Sequence, residues 1–441
     1  MVDGGPDKGT RVDKICLTLP TNRACTATIA AIGAEAAYAA EHFDVEVHLL
    51  VLDSTDGHVF AEHAVAIDAL RGTPNVVPWH LDEAAQRNFL RRMIEHAGLD
   101  KPELMLDLML PAELSYGACT NRAFLLAAAL GCRSVHRRDS DIRYQTHDGA
   151  TLFPIHHELR AIGRRAADAV AFVSESMPVA GDQPIVLVGG SFVGELSVDI
   201  GDIARRDPDA YHDIVRLWAP SEWSDERKRA LVAESFTGAG TRTFTQDHAL
   251  LTVVDPMRVD MCNIAFHRVQ EDVPLLPAID TVGSDYFLFH VVESAGLPGV
   301  LHNRDIVNFY TPERRTDDGF VAYHVRLVKF FLSMRYLNVI YARMADAGPA
   351  LLDERHRVRA DVIAGFVRDS TDLDQGENVE RLAVLDRAYR RLGDRYASFA
   401  DVLRARAERL LDEARRDMAD FALLIESWDR LMGASRVTGV R

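Results

Sequence analysis

Two aspartates separated by one serine, Asp139 and Asp141, have the spacing in this sequence that best suits metal chemistry. They follow residues 132–136, a short run typical of a strand, and the chain turns polar after them. Carboxylates at positions i and i+2 of a turning backbone can converge on one divalent ion, and their hard oxygens suit Mn²⁺ or Mg²⁺. Such an ion can bind a diphosphate in turn. A solvated surface turn is the alternative interpretation, because the pattern is short.

The beginning of the chain predicts the sheet that would position these aspartates. Residues 14–20 are typical of a buried strand, residues 26–42 of a helix, and residues 45–52 of a second strand that ends at Asp53. A strand, a helix and a strand in this order indicate a parallel sheet with a right-handed crossover. Because ligands of such sheets bind at the carboxyl ends of strands, we expect residues 18–23 and Asp53 to face a ligand.

A helix precedes the two aspartates. Residues 104–110 predict a strand, and the segment from Ser115 leads into a helix that ends at Gly131. Arg122 lies in the first turns of this helix. The free amides of a helix start, together with an arginine, favour anion binding, whereas a simply capped helix is the structural alternative.

Two later segments also carry candidate residues. Gly283 and Asp285 open a predicted helix that reaches about Ser294, and Ser284 or Asp285 would equally serve as its N-cap. His302 and Asn308 follow in a polar stretch. The glycines of residues 184–194 lack the spacing of a Rossmann or P-loop phosphate site, so we exclude both.

The order of these segments resembles the nucleotide-sugar-dependent glycosyltransferases of the GT-A fold, over roughly residues 13–315. The resemblance implies an α/β fold with a GT-A-like, mostly parallel sheet flanked by helices. It also implies that Pro20, Thr21, Arg23 and Asp53 contact the nucleoside of the donor. The family usually has apolar residues before its two aspartates, whereas here His136-Arg137-Arg138 precede them.

The same resemblance assigns roles to the remaining candidates. It places Arg122 beside the diphosphate, Asp139 on donor oxygens and metal, and Asp141 on the metal. It makes Asp285 the general base of an inverting enzyme, or a sugar-binding residue of a retaining one, and the sequence leaves this choice open. It makes His302 the third metal ligand, with Asn308 as the second candidate.

Composition excludes several classes of protein. A net charge of −16 disfavours nonspecific binding to nucleic acid or anionic lipid. No apolar run is long enough to span a bilayer, and the first fifteen residues lack the apolar region of a secretory signal, so we expect a cytoplasmic protein without membrane insertion. The five cysteines are scattered without a CxxC pair, which argues against a disulfide framework or a structural zinc site.

From Gly319 onward, apolar residues recur at spacings of three and four, which predicts an all-helical C-terminal region. We therefore divide the chain into a flexible tail (1–12), a GT-A-like catalytic domain (13–318) and a helical domain (319–441). The apolar helical faces, which include Phe330, Met334 and Leu337, predict an internal core, and a homodimer seam is the alternative.

These patterns favour a metal-dependent glycosyltransferase that moves a sugar from a nucleoside-diphosphate sugar to a hydroxyl or amine of a small-molecule acceptor. A UDP-sugar is the favoured donor and a GDP-sugar the alternative. A nucleotidyltransferase acting on a sugar phosphate is the nearest other enzyme, although residues 18–23 lack the glycine that such enzymes place after the first strand. A non-catalytic binding or assembly protein on a transferase scaffold is the third hypothesis.

Overall fold

The computed structural model describes residues 12–196, 198–240 and 244–440, so the predicted tail lies outside the described residues except for Val12. In these residues a nine-stranded sheet is accompanied by two small sheets. The strands are β1 (Asp13–Thr21), β2 (Val45–Asp53), β3 (Val76–Leu81), β4 (Val135–Arg137), β5 (Ile142–Tyr144), β6 (Thr146–His147), β7 (Ala150–Thr151), β8 (Glu175–Ser176), β9 (Leu187–Gly189), β10 (Phe192–Gly194), β11 (Ala249–Thr252), β12 (Ile264–Phe266), β13 (Gly299–His302) and β14 (Ile306–Asn308).

Helices cover the sheet and form the C-terminal region. They are α1 (Thr26–His42), α2 (Gly57–Asp68), α3 (Glu83–Ala97), α4 (Pro102–Met109), α5 (Tyr116–Ala129), α6 (Ile155–Ala161), α7 (Ala166–Ala169), α8 (Ile200–Arg206), α9 (Pro208–Val215), α10 (Asp225–Glu234), α11 (Val269–Asp272), α12 (Phe287–Ser294), α13 (Asp317–Ala347), α14 (Ala360–Ser370), α15 (Gly376–Leu392), α16 (Asp394–Ala405) and α17 (Ala407–Ser435). None of the helices in the described part of the chain is both long and apolar enough to span a membrane.

The predicted strand–helix–strand opening is confirmed. β1 and β2 pair in parallel from Asp13 beside Val45 to Thr21 beside Asp53, and α1 crosses between them. Five consecutive residues of β1, from Ile15, are buried. This is the pattern of a central parallel strand, which is covered on both faces. β4 then pairs in parallel with the other side of β1. The carboxyl ends of β1, β2 and β4 therefore lie along one edge.

The large sheet is mixed but mostly parallel, in the order β3-β2-β1-β4-β12-β9-β13-β11-β8. Of the strands described, β12, β11 and β8 run opposite to the other six. β12 lies between β4 and β9 and is antiparallel to both. Its amino end therefore lies beside the carboxyl end of β4, which brings residues just before β12 close to Asp139.

Two local predictions are wrong. Residues 104–109 belong to helix α4 and Leu110 follows its end, rather than forming a strand, because Pro102 stands at the first helical position and apolar residues recur on one helical face. The stretch 60–100, which the sequence predicts as helical or irregular, contains β3 in addition to α2 and α3. β3 pairs with β2, and Pro78 and Trp79 interrupt the alternation that identifies a strand.

The predicted helical C-terminal region is confirmed, and it shares one hydrophobic core with the α/β part. Phe287 of α12 packs edge-on against Phe421 of α17 with ring centroids 4.8 Å apart. The indole N–H of Trp428 donates to the carbonyl of Gln270 at 3.0 Å. The C-terminal helices thus cover the sheet side that bears α5 and α12.

A buried ion network holds the strand that leads to the two aspartates. The Arg138 guanidinium is fully buried and donates to both Glu35 oxygens at 2.8 and 3.0 Å, and to Glu158 at 3.1 Å. Burial alone would raise the pKa of Glu158, but Arg138 and His136 outweigh it and lower that pKa to about 2. Arg138 therefore fixes α1 and α6 against the end of β4.

His324 of α13 provides a test of this packing through pH. Its ring is buried, bonds the Tyr389 hydroxyl at 2.9 Å, and has a pKa lowered to about 3 by burial and then by Arg395. The unfolded chain binds the proton below about pH 6.5, whereas the folded chain does not until about pH 3. The contribution of His324 to the free energy of unfolding is therefore fully present above pH 6.5, and it falls by about 1.4 kcal/mol per pH unit below that value.

We expect His324→Gln to be less stable than the wild type at pH 7, and this difference to shrink by about 2 kcal/mol at pH 5. The measurement is urea unfolding at both values. His58→Gln, which removes an exposed imidazole, is the control. A difference for His324→Gln that stays the same at both pH values would contradict a buried, neutral His324.

Candidate functional site

The carboxyl ends of β1 and β4 open into one cavity of about 490 Å³. Asp139 and Asp141 line it, on a turn that directly follows β4. The Arg138 amide donates to the Thr18 carbonyl at 3.0 Å, and the Thr28 hydroxyl at the start of α1 donates to the Ser140 carbonyl at 3.1 Å. Both hydrogen bonds fix the turn, so the two carboxylates lie on a rigid support at the sheet edge.

Arg137 connects the first aspartate to Asp285. One guanidinium nitrogen lies 3.0 Å from an Asp139 oxygen, and another lies 2.5 Å from an Asp285 oxygen. The Arg137 side chain is 2 % exposed and Asp285 6 %, whereas Asp139 keeps 30 % of its side chain exposed. Arg137 therefore points into the cavity, opposite to Arg138. All three side chains line the cavity, and Asp139 is the most exposed of them.

Two other arginines hold Asp141. Arg314, in the 3-10 turn Pro312–Arg315, donates to an Asp141 oxygen at 2.5 Å, and Arg23 donates to the same oxygen at 3.3 Å. Arg23 also lies 3.2 Å from Glu313. Acids and guanidinium groups thus alternate along the cavity edge. A guanidinium group placed in this way can bind a phosphate in place of its carboxylate partner.

Four carboxylates share this edge. The pKa of Asp139 is raised to about 6, because enclosure in the cavity withdraws bulk water. Arg137 acts against this rise, and Asp141, Asp260 and Asp285 add to it. Loss of hydration is the largest cause of this rise, and a bound cation would favour the ionised form of Asp139.

The loop after β1 lies at the same cavity. Pro20, Thr21 and Arg23 all line it, as predicted for residues at the carboxyl end of the first strand. The Thr21 hydroxyl donates to the Arg23 carbonyl at 3.0 Å and accepts from the Arg23 amide at 3.3 Å. This local pair shapes the turn that delivers the Arg23 guanidinium to Asp141.

Asp53 lies behind the cavity wall rather than in it. Its two neighbours Leu52 and Ser54 line the cavity, while Asp53 itself is 1 % exposed. Burial alone would raise its pKa, but bonds from His80, His63 and Thr55 hold that pKa well below its usual value. Asp53 supports the loop after β2 through Thr55, and its direct contact with a nucleoside stays a prediction.

Asp53, His63 and His80 also have ligand atoms close enough for one metal ion. The His63 ring accepts the Cys25 amide proton at its Nε2 atom, 3.0 Å away, so its Nδ1 atom carries the proton and donates to Asp53 at 2.7 Å. A protonated nitrogen cannot ligate a metal. The cluster therefore ties the loops after β1 and β2 together.

Arg122 lines the cavity from α5, whereas the arginines that pair with the acids come from other segments of the chain. Its guanidinium donates to Gln86 at 2.8 Å and to the Met109 carbonyl at 2.6 Å. Burial lowers its pKa. The helix is also capped as in the structural alternative, since the Ser115 hydroxyl accepts the Ala118 amide at 3.1 Å.

Asp285 lies two residues before α12, and the prediction that Ser284 or Asp285 caps this helix is wrong. Tyr286 is the N-cap residue, and the Ser284 hydroxyl accepts the Gly117 amide at 3.3 Å instead. Gly283 adopts φ +70°, a conformation that glycine allows without strain. The segment thereby turns Asp285 toward Arg137.

His302 and Asn308 lie on strands of two different sheets. Asn308 ends β14 and lines the cavity, whereas His302 ends β13 and is not among the residues that line it. The His302 ring stacks on His157 with centroids 5.5 Å apart, and burial keeps its pKa well below the usual value. Of the two predicted third ligands, this geometry favours Asn308, and His302 stays a prediction.

A fourth acid at the site, Asp260, is not predicted from the sequence. Asp260 lies on the wall beside Asp139 and accepts the Tyr286 hydroxyl at 2.7 Å. Asp260 precedes β12, which begins at Ile264. The pairing of β12 with β4 brings this carboxylate to the site, and no local motif marks it.

Comparisons with known proteins give one family and a distant structural similarity. No curated protein matches the chain. A solved mannosyltransferase from Pyrobaculum calidifontis, in complex with GDP-mannose and Mn²⁺, is 14% identical, with a TM-score of 0.34 over 99% of this chain and 89% of that one. A similarity this weak carries no argument about function. The model of the family of unknown function DUF6271 matches residues 13–441, and the chain belongs to that family.

Proposed function

We propose that this protein is a glycosyltransferase that moves a sugar from a nucleoside-diphosphate sugar to a hydroxyl or amine of a small acceptor. The observation that carries the proposal is the single cavity shared by the turn after β1, the Asp139–Asp141 turn and Asp285. These are the three segments on which the sequence resemblance depends, and they lie far apart in the chain.

The donor would lie along the edge formed by β1 and β4. Pro20 and Thr21 would contact the nucleoside, and Asp53 would act through the loop it supports. Arg23, Arg137 and Arg314 surround the carboxylates and would contact the diphosphate, because guanidinium groups match phosphate oxygens in charge and geometry. Arg122, at the α5 wall, is the fourth candidate for this contact.

The donor atoms at the cavity fit a hard divalent ion. Asp139 and Asp141 offer carboxylate oxygens and Asn308 an amide oxygen, and such ligands suit Mn²⁺ or Mg²⁺. When bound, the ion would neutralise charge on the leaving diphosphate. Arg137 and Arg314 add positive charge from fixed positions. Asp285 would accept the proton of the acceptor or bind the sugar, and its contact with Arg137 keeps it oriented.

The two rival hypotheses make different predictions at this site. A nucleotidyltransferase would release pyrophosphate, whereas a glycosyltransferase releases a nucleoside diphosphate. A non-catalytic protein would bind nucleotide without turnover. Arg137 and Arg138 stand where the resembled family has apolar residues, a departure that favours a non-catalytic protein, but Arg138 belongs to the buried network and Arg137 contacts the candidate site.

The test is a calorimetric titration of UDP and GDP into the protein with Mn²⁺, and again with EDTA. We expect one nucleotide to bind with Mn²⁺, to bind at least tenfold more weakly with EDTA, and to lose the metal effect in Asp141→Asn. Asp148→Asn, at an exposed hairpin turn, is the matched control. In the same titration, Asn308→Ala should weaken Mn²⁺ dependence more than His302→Ala.

Binding of both nucleotides without any dependence on metal would contradict the proposed donor site, and so would the absence of binding of either nucleotide. Equal Mn²⁺ affinity in wild type and Asn308→Ala would remove Asn308 from the ligand set. Product analysis with UDP- and GDP-sugars then separates the enzyme classes, since release of pyrophosphate would identify a nucleotidyltransferase.

A further inference from the structure

The candidate site continues into an apolar region that neither the donor nor the diphosphate accounts for. On the side away from β1, α13 contributes one face of the cavity with Leu327, Phe330, Met334 and Leu337. This face belongs to the helical region, so the C-terminal helices complete the cavity. The sequence predicted three of these four residues as internal core.

A line of aromatic contacts connects this face to the candidate catalytic acid. The Phe236 and Trp218 rings have centroids 5.7 Å apart, and Trp218 meets Phe330 edge-on at 5.1 Å. Phe330 packs in turn on Gly283, where an added Cβ would lie only 3.1 Å from the ring. Gly283 is two residues before Asp285. The apolar region therefore begins next to the carboxylate that would meet an acceptor.

The backbone at Phe236, beside Trp218 and α13, adopts a strained conformation. Phe236 adopts φ +61°, in the left-handed region that bulky residues rarely occupy. This conformation carries the Phe236 ring to Trp218, at the cavity. Backbone strain of this kind persists where the surroundings over-determine it, and it is frequent at ligand sites.

The charge of the cavity is concentrated at its other end. Asp139, Asp141, Asp285 and their arginines lie at the β1 and β4 edge, whereas Phe330, Met334 and Leu337 of α13 line the cavity with Trp218 and Phe236, and Glu234 is the acid nearest to them in sequence. A free sugar or a phosphorylated acceptor would find few partners for its hydroxyls or charges on this face. An apolar molecule with one terminal hydroxyl fits both ends at once.

We propose that the acceptor is an apolar alcohol, whose hydrocarbon body lies against Phe330, Trp218 and Phe236 and whose hydroxyl reaches Asp285. This assignment rests on the proposed transferase function. In the transfer, the hydroxyl oxygen forms a bond to the anomeric carbon, the bond from that carbon to the diphosphate oxygen breaks, and the leaving nucleoside diphosphate keeps the electron pair. The hydroxyl proton passes to a base, for which Asp285 is the candidate.

The probe is a series of straight-chain primary alcohols from 1-butanol to 1-decanol, titrated against tryptophan fluorescence, because Trp218 lines the apolar region. We expect affinity to rise about fourfold per added methylene until the region is filled. Trp218→Phe should remove most of the fluorescence change. Affinity that does not depend on chain length overturns the proposal.

Two neighbouring phenylalanines distinguish a loss of pocket contacts from a general effect on the fold. Phe330→Leu should weaken 1-octanol binding about fivefold, whereas Phe331→Leu, the same change one residue later on α13, should leave it unchanged. Both phenylalanines are buried, but Phe331 does not line the cavity. Leu337→Phe should make affinity level off at a shorter chain. Equal weakening in both phenylalanine variants overturns the proposal.

Nucleotide titration of the same variants distinguishes failure of the apolar acceptor proposal from failure of the transferase proposal. Alcohol binding without nucleotide binding supports the apolar site and rejects the transferase function. Nucleotide binding with chain-length-independent alcohol affinity rejects the apolar acceptor and leaves the transferase proposal standing.

Discussion

Asp139→Asn and Asp141→Asn are each expected to lower release of nucleoside diphosphate from the sugar donor on the order of 10³-fold, with the fold intact. Asparagine keeps the shape of the side chain but removes the negative charge that a divalent ion and the neighbouring guanidinium groups require. Arg137 would lose its partner at 3.0 Å in the first variant, and Arg314 its partner at 2.5 Å in the second.

The measurement is steady-state turnover with the nucleotide sugar that calorimetry selects, with thermal unfolding beside it. Asp148→Asn again serves as the control, because the Asp148 side chain is 90 % exposed. Full activity in either variant would reject this pair of aspartates as the metal and donor site.

Arg138→Met is expected to destabilise the protein by about 3–5 kcal/mol. The substitution leaves Glu35 and Glu158 buried without their cation. Burial of an uncompensated carboxylate is costly, so the Glu158 pKa, now about 2, should rise steeply and acid should partly rescue the variant. Equilibrium unfolding in urea at pH 7 and pH 5 measures both effects.

Arg133→Met is the comparison for that experiment. Arg133 pairs with Asp13 at 2.7 Å, but both side chains are at least 39 % exposed, and surface pairs contribute less than about 1 kcal/mol. Similar stability losses in the two variants would mean that the Glu35–Arg138–Glu158 network does not support the fold.

The sequence predicted the elements whose signals are local. The boundaries of β1, α1 and β2 follow from burial and periodicity, and the segment after β4 follows from the turn that Asp139 and Asp141 favour. α13 was identified by its apolar spacing. These patterns involve only residues close together in the chain, so the elements can be predicted without knowledge of the tertiary structure.

The remaining features depend on residues that meet across the sheet. Arg137 and Arg138 are adjacent in sequence, yet one contacts Asp285 and the other Glu35, because successive side chains of a strand point to opposite faces. Asp260 reaches the site only because β12 runs antiparallel beside β4. The sequence ranks His302 ahead of Asn308 as a ligand, and only the placement of their strands brings Asn308 rather than His302 to the cavity wall.

The position of α13 links ligand occupancy to the folding of the C-terminal helical region. The helix packs on α14, α15 and α17 with one side and lines the cavity with Phe330 and Met334. A molecule on that face binds only while the helices are assembled, so it adds RT ln(1 + [L]/Kd) to their stability, about 2.7 kcal/mol at one hundred times Kd. Thermal shift of the full chain can therefore find acceptors without any assay of sugar transfer.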